Sequence, residues 1–439
     1  MVAVARTGAQ ERALSSVPVI APRILLGTVL ALLLAVPGAR AQMPKDAPRV
    51  VGAKAAIVME ASTGDVLLAR NAGERRQIAS ATKLMTVLVA LRRTDLDDVF
   101  SATGYEPLPV ESQIGLGPGE RMSVRDLLRA TLLPSANDAA AAVATGTMGS
   151  TESFVAEMNR RAEKMGLRDT RFANPIGLDD ENNYSSARDL ARLAIELRRN
   201  EFFRRTVDLP AATLRSGSRK RTVINRNALV RRVDAVDGVK TGHTRGAGYV
   251  LVGSATRDGV TVISVVLGEP SERARDADSL ALLRYGLSRY DARTVMPQGR
   301  VLGRVDLRYR PNESVAVVAG ATVTRVLRTG ARTRVAISGL PSEVDGPLPR
   351  GSRLGTATIR RGDEILARVP VVTARPVAEA GVGDRLDDML GRSQTIIALV
   401  LLLVCSLPLL LLRRRAINRR RAIDAEHRRA RRREESAVQ

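Results

Sequence analysis

Twenty consecutive residues, Ser393 to Leu412, carry no charge, and most are Leu, Ile or Val. Such a run is long enough to cross the ~30 Å hydrocarbon layer as a helix. Pro408 and Ser406 within it are tolerated in membrane helices. The run ends abruptly in Arg413-Arg414-Arg415, and eleven Arg follow from there, against Asp424, Glu426, Glu434 and Glu435. The stretch before it, 377–392, is slightly acidic and reads as a linker. The positive-inside bias makes 393–412 a transmembrane anchor, 413–439 a basic cytoplasmic tail, and everything upstream external. The simplest reading of the tail is a stop-transfer flank, with anionic inner-membrane lipids within its reach.

The opposite end agrees with export. Ile24 to Val36 is uncharged and mostly apolar, lies behind Arg6, Arg12 and Arg23, and is followed by Ala39-Arg40-Ala41. This is the pattern of a secretory signal peptide over residues 1–41, and the apolar run is too short to span a bilayer comfortably.

The residue inventory excludes several chemistries. The single cysteine, Cys405, lies inside the apolar run, so no disulfide forms within the chain and no thiol nucleophile is expected in an external domain. Of two histidines, His427 is in the tail, leaving His243. A metal site built from several His and Cys is therefore not expected, and no cofactor motif is present. The formal net charge is +23, but aromatics for base stacking are few and no nucleic-acid motif occurs, so no nucleic-acid partner is expected.

Between these ends the hydrophobic pattern changes once. Ala55 to Glu60 and Val66 to Arg70 read as strands around the turn Ser62-Thr63-Gly64-Asp65. A block of helices follows. One begins at Ser80 and another runs from Val124 to Leu132 behind an N-cap at Ser123. An Ala-rich helix is capped by Asp138, one helix opens at Thr151, and one runs from Ala187 to Arg199. Gly248 to Ala255 and Val260 to Leu267 flank Arg257-Asp258-Gly259, a hairpin signature, and Glu272 to Arg289 is helical. Strands, helices, strands and a final helix imply an α+β domain over 44–292, an antiparallel sheet with a helical cluster. After Pro297 short Val-rich runs separated by turns predict a small all-β sandwich domain over 297–376.

Lysine usage points to the chemistry. The chain has six Lys against sixty-three Arg. A guanidinium cannot release its proton at working pH, whereas a desolvated ammonium can. Lys83 stands three residues after Ser80, at the start of a predicted helix, which puts amine and hydroxyl one turn apart on nearly the same face. The amine can then take the hydroxyl proton, and the free N–H groups of the helix start can face a developing oxyanion. Ser135-Ala136-Asn137 offers a hydroxyl and a carboxamide on a short loop. Lys240-Thr241-Gly242 offers two donors to a carboxylate, and a glycine that lets a substrate backbone approach. Ser-x-x-Lys is a weak motif alone; the three in this order are not.

Together the three motifs mark the penicillin-recognising serine enzymes. With Asn174-Pro175-Ile176-Gly177-Leu178 and the stretch Asp237 to Tyr249, the chain resembles the low-molecular-mass penicillin-binding proteins, the D-alanyl-D-alanine carboxypeptidases of the DacA type. The resemblance implies a penicillin-binding-protein/β-lactamase-like transpeptidase domain. It implies that Ser80 forms the acyl-enzyme, Lys83 takes its proton and Ser135 assists transfer to the leaving D-alanine. Asn137 would bind the peptide amide, and Lys240 and Thr241 the terminal carboxylate. Backbone N–H groups of Ser80 and His243 would form the oxyanion hole. The implied partners are peptidoglycan stem peptides and β-lactam antibiotics as covalent inhibitors. Ile176 departs from the polar residue or His that many relatives carry there, and the anchor departs from the amphipathic helix of several relatives.

Two rival readings remain open at this stage. A serine β-lactamase shares all three motifs, and Glu196 with Asn200 imitates the spacing of a deacylating glutamate, although Glu196 falls on a charged helix far downstream of Ser135. A non-catalytic wall-binding protein on an enzyme scaffold is the other.

Overall fold

The computed structural model describes residues 47–437, apart from 51, 103 and 392. The predicted signal peptide at 1–41 lies outside the described residues.

The first strands, β1 (Ala55–Glu60) and β2 (Val66–Arg70), form a hairpin. Five helices follow: α1 (Lys83–Arg93), α2 (Val124–Leu132), α3 (Asn137–Met148), α4 (Thr151–Lys164) and α5 (Ala187–Leu197). A small hairpin, β3 (Ala211–Leu214) and β4 (Arg221–Ile224), precedes the long strands β5 (Val236–Thr244), β6 (Gly248–Arg257) and β7 (Val260–Glu269). Helix α6 (Glu272–Leu287) closes this part. The main sheet has the order β2-β1-β7-β6-β5, and every pairing in it is antiparallel.

Every residue of β1 is buried, because both faces of the sheet are covered. Alternation divides its side chains. Ala55, Ile57 and Met59 join a core with α1 to α5, whereas Ala56 and Val58 join a second core under α6. Helix α1 is apolar nearly all round, as expected of a helix packed on several sides, with Leu84, Met85, Val87 and Leu88 all buried. Between β6 and β7, Asp258 and Gly259 both have positive φ (50° and 78°), the pairing that a tight two-residue hairpin turn needs.

Local signals hold in α2, where Ser123 caps the helix by accepting from the Asp126 N–H (3.3 Å). They fail at Asp138. Helix α3 starts one residue earlier, and the Asp138 carboxylate reaches back to accept from the N–H groups of Ile114 and Leu116. It fastens a distant loop instead of capping its own helix.

The chain leaves α6 directly as a strand, β8 (Tyr290–Met296), where the sequence suggested helix as far as Arg289. Next come β9 (Val301–Leu307), β10 (Ser314–Ala319), β11 (Val323–Arg328), β12 (Arg334–Ser338), β13 (Glu343–Val344), β14 (Arg353–Arg361) and β15 (Glu364–Thr373). One sheet pairs β8 with β11; the other has the order β12-β14-β15-β10-β9-β13. Strict alternation in β10 buries Val315, Val317 and Ala319, the pattern of a strand with one face on a core.

Beyond the sandwich, where the sequence suggested only a linker, helix α7 (Val382–Gly391) forms. Asp384 accepts from the Gly381 N–H and pairs with Arg310 of the β-domain (3.0 Å). Helix α8 (Ser393–Ala437) then runs without interruption through the apolar stretch and the Arg-rich tail. Among the described residues it is the helix long and apolar enough to cross a membrane, and no part of that apolar stretch is buried within the protein.

Candidate active site

Three segments from separate parts of the chain meet at Ser80. Residues Ala79–Thr82 form a 3-10 turn running directly into α1, so the helix proper begins at Lys83 and Ser80 lies in the tighter turn before it. Strand β5 passes beside this turn. A Cβ built on Gly242 would come within 3.0 Å of the Ser80 nitrogen, which is why the residue after Lys240-Thr241 is glycine. The Ser135–Asn137 corner closes the third side, with Ser135 held at φ 67°, unusual for a residue with a side chain.

The Lys83 amine is completely buried. It donates to Ser80 Oγ (3.1 Å), to Asn137 Oδ1 (2.6 Å) and to the Ile176 carbonyl. Burial lowers its pKa from 10.5 to about 7; Glu111 and Asp138 oppose the shift and Arg226 assists it. An amine with that pKa is partly unprotonated at neutral pH and can accept the serine proton. The carbonyl of Ile176, not its buried side chain, is therefore the part of that residue that meets the chemistry. Asn174 Oδ1 fixes the loop by accepting from the N–H groups of Ile176, Gly177 and Leu178.

The remaining sequence candidates fall around this pair. Ser135 is buried, and among the described residues its Oγ has no hydrogen-bond partner, so it is free to join a proton relay. Thr241 and His243 line the open cleft beside Ser80, Ser135 and Asn137. The His243 ring stacks on Tyr249, with 4.0 Å between centroids. Lys240 is buried, its amine donates to the Thr241 carbonyl (2.9 Å), and burial followed by the charge of Lys83 pushes its pKa well down. Glu196 is elsewhere. It pairs with Arg92 (2.5 Å) and Arg199 (2.8 Å) on a helix surface. Among the described residues no group of three or more His, Cys, Asp or Glu is placed to hold a metal ion.

Other groups at the site carry no motif. Glu111 accepts from Asn137 Nδ2 (2.5 Å) and from the Tyr105 hydroxyl (2.5 Å). A hydrogen-bonded chain thus runs from Tyr105 through Glu111, Asn137 and Lys83 to Ser80. Arg226 and Arg275 line the same cleft of about 1270 Å³, and Arg275 is buried and held by Asp276. Glu269 lines it too. Burial and then the neighbouring Asp278 raise the pKa of its carboxyl.

An antiparallel sheet covered by a helical cluster, with a serine hydroxyl in contact with a desolvated amine, is the arrangement of the serine–lysine acyl-transfer class. Residues 41–271 match the family described as D-alanyl-D-alanine carboxypeptidase. The chain belongs to that family. It is 31% identical to D-alanyl-D-alanine carboxypeptidase DacF of Bacillus subtilis, over 75% of this chain and 87% of the relative. It is 30% identical to DacA of Escherichia coli K12, over 77% of this chain and 87% of the relative. Among solved structures, penicillin binding protein 5 from Haemophilus influenzae matches with a TM-score of 0.56 and 29% identity, over 76% of this chain and 99% of that one. The Streptomyces K15 DD-transpeptidase matches with a TM-score of 0.53 and 35% identity, over 55% and 99%.

Proposed function

We propose that this protein removes the terminal D-alanine from peptidoglycan pentapeptide stems through an acyl-enzyme on Ser80, and that penicillins acylate the same hydroxyl. The observation that carries this reading is the 3.1 Å contact between the Ser80 hydroxyl and a fully buried amine whose pKa lies near neutrality.

The assigned steps follow from that pair. Ser80 Oγ attacks the carbonyl between the two D-alanines while Lys83 takes the hydroxyl proton. The N–H groups of Ser80 and His243 receive the developing oxyanion. The proton passes from Lys83, with Ser135 assisting, to the nitrogen of the departing D-alanine, and the C–N bond breaks. Water then hydrolyses the ester and restores Ser80. Asn137 holds the peptide amide. Thr241 and Lys240, whose amine donates to the Thr241 carbonyl, hold the terminal carboxylate.

Around the catalytic domain (44–292) the reading assigns a signal peptide (1–41), a β-sandwich (297–376), a connecting segment (377–392), a membrane anchor (393–412) and a cytoplasmic tail (413–439) against inner-membrane lipids. The enzyme would then work outside the cytoplasmic membrane.

Fluorescent penicillin and a D-Ala-D-Ala pentapeptide test the proposal. The wild type is expected to bind the label covalently and release D-alanine, and Ser80→Ala to do neither. Persistent labelling of Ser80→Ala would refute the assignment. Rapid turnover of penicillin would favour a β-lactamase, and absence of released D-alanine a binding protein.

A further inference from the structure

We propose that the outer face of the six-stranded sheet in the β-sandwich is a docking surface for anionic lipid headgroups, and that it lays this domain against the external leaflet of the membrane that α8 enters. The proposal uses the anchor assigned above and adds a second contact with the same membrane, made by a different part of the chain.

The face begins in the sequence. From Tyr290 to Pro376 there are fifteen Arg and no Lys, against seven Asp and Glu. Strand alternation sorts them. Val305, Val315, Val317, Ala357 and Val371 turn to the core, and their neighbours along each strand turn the other way. Six arginines stand on that outer face or at its rim: Arg304, Arg334, Arg353, Arg360, Arg368 and Arg375, all exposed. The register sets Arg334 on β12 directly opposite Arg360 on β14, and Arg368 on β15 opposite Thr358. Ala316, Ala336, Thr356, Thr358 and Pro370 lie between them on the same side, so the arginines rise from a floor of short side chains.

The charge is not neutralised within the protein. Among the described residues, none of the six has a carboxylate within ion-pair distance; those that are hydrogen-bonded use neutral acceptors. Arg304 and Arg375 converge on Ser314, at its hydroxyl (2.8 Å) and its carbonyl (3.3 Å). Arg353 donates to the Thr356 hydroxyl (3.0 Å) and Arg360 to the Asp363 carbonyl (3.2 Å). Asp306 and Glu343 turn outward at one edge, and Glu343 is held by Arg308 (3.8 Å). Like charges set directly across a strand pair oppose its pairing, and an anion seated between Arg334 and Arg360 removes that repulsion. Guanidinium groups present paired N–H donors that fit a phosphate.

Shape and tether select a membrane as the occupant. The cations stand on a flat sheet, which suits a planar array of headgroups. From Thr373, at the end of β15, the chain passes through α7 and enters α8 at Ser393. So short a tether keeps the face near the bilayer and raises the effective concentration of headgroups around it. Basic side chains held at an anionic leaflet are attracted within a Debye length. The contact also reaches the catalytic domain. Asp65, in the turn between β1 and β2, accepts from the Tyr290 hydroxyl (2.8 Å) and pairs with Arg328 (3.6 Å). A sandwich fixed on the leaflet therefore sets the height at which the cleft is presented to the wall.

Full-length protein with Cys405→Ala and Ala336→Cys, carrying a fluorophore at position 336, can be reconstituted into vesicles that hold a headgroup-linked quencher. The vesicles are phosphatidylcholine alone, or phosphatidylcholine with about 30% phosphatidylglycerol. Flotation reports the anchor, and quenching reports the face. Quenching is expected to be at least about threefold stronger with phosphatidylglycerol and to fade as salt rises from about 50 to 300 mM. It should be lost in Arg334→Glu/Arg360→Glu/Arg368→Glu, with penicillin acylation within about twofold of wild type. Equal quenching on the two lipids, or a variant that behaves as wild type, overturns the proposal. Capture of a soluble glycerol-phosphate polymer by the face, without lipid-dependent quenching, overturns it too and assigns the face to a wall polymer. Protein that floats with neither vesicle removes the anchor reading, and this inference with it.

Discussion

Gly177 presses against the backbone of Ala79. A methyl group on its α-carbon would lie 2.1 Å from the Ala79 carbonyl oxygen and 3.0 Å from the Ser80 α-carbon. Both obstacles are main chain, so no side chain can turn aside, and Gly177 has φ 86° besides. Gly177→Ala should displace the nucleophile and slow penicillin acylation at least about 100-fold, or ~3 kcal/mol in the barrier. Stopped-flow acylation checks this, and near-normal rates would show that the contact is not needed.

The Lys83 pKa near 7 gives acylation a pH profile. Below that value the amine is protonated and cannot accept the serine proton; above it the amine is free. The acylation rate should rise with pH, reach half its plateau near pH 7, and stay level to about pH 9. A flat profile from pH 5.5 to 8.5 would contradict the assignment of Lys83 as base.

Lys83→Arg retains charge and hydrogen-bond donors but removes the base, because arginine does not deprotonate in this range. Acylation should fall by about 1,000-fold or more, the scale of losing a general base. Labelled penicillin measures it, and a variant within tenfold of wild type would count against proton abstraction by the amine.

Glu111 holds Asn137 and raises the Lys83 pKa through its charge. Glu111→Gln keeps an acceptor for Asn137 but removes the charge, so the acylation midpoint should move below pH 7 with kcat/KM nearly kept. Glu111→Ala removes both and should cost about tenfold in kcat/KM for pentapeptide, consistent with ~1–2 kcal/mol for a lost charge-assisted bond. An unmoved midpoint in both variants would leave Glu111 without influence on the base.

Glu120 and Arg221 form a doubly bonded pair, with both contacts at 2.8 Å and both side chains more than nine-tenths buried. Removing Arg221 leaves a buried carboxylate alone and should cost about 3–5 kcal/mol of stability. The pair holds the Glu120 carboxyl down at about 2, so its contribution is present above the ordinary carboxyl pKa and is lost as pH falls through 2. Thermal melts of Arg221→Ala between pH 7 and 3 should show a lowered Tm and a weaker acid dependence than wild type. Superposable melting curves would remove the pair from the stability argument.

The sequence showed most of what local chemistry can encode. Ser123 announces a helix, Asp258-Gly259 a tight turn, and Ser80 with Lys83 a hydroxyl and an amine in contact, because each effect acts within a few residues. It was silent where partners are distant. Glu111 reaches Asn137 from a loop with no motif, and Arg226 gains meaning only through a cleft assembled by the fold. Asp138 misled for the same reason: its side chain serves the Ile114–Leu116 loop, and a local capping rule does not see that loop. Strand β8 escaped because Asp291 and Arg293 break its apolar pattern, while its partner β11 comes more than thirty residues later. The glycines bounding α7 made a short helix read as a linker.

The concealment of Lys83 and Lys240 gives the molecule a practical property. Lys54, Lys164 and Lys220 stand in solvent, whereas those two are sealed within the protein. Amine-directed tethering, to a bead or a sensor surface, therefore leaves Lys83 and Lys240 untouched, and because Lys54 lines the cleft with Ser80, attachment through Lys164 is the kind that should keep the immobilised enzyme open to antibiotic.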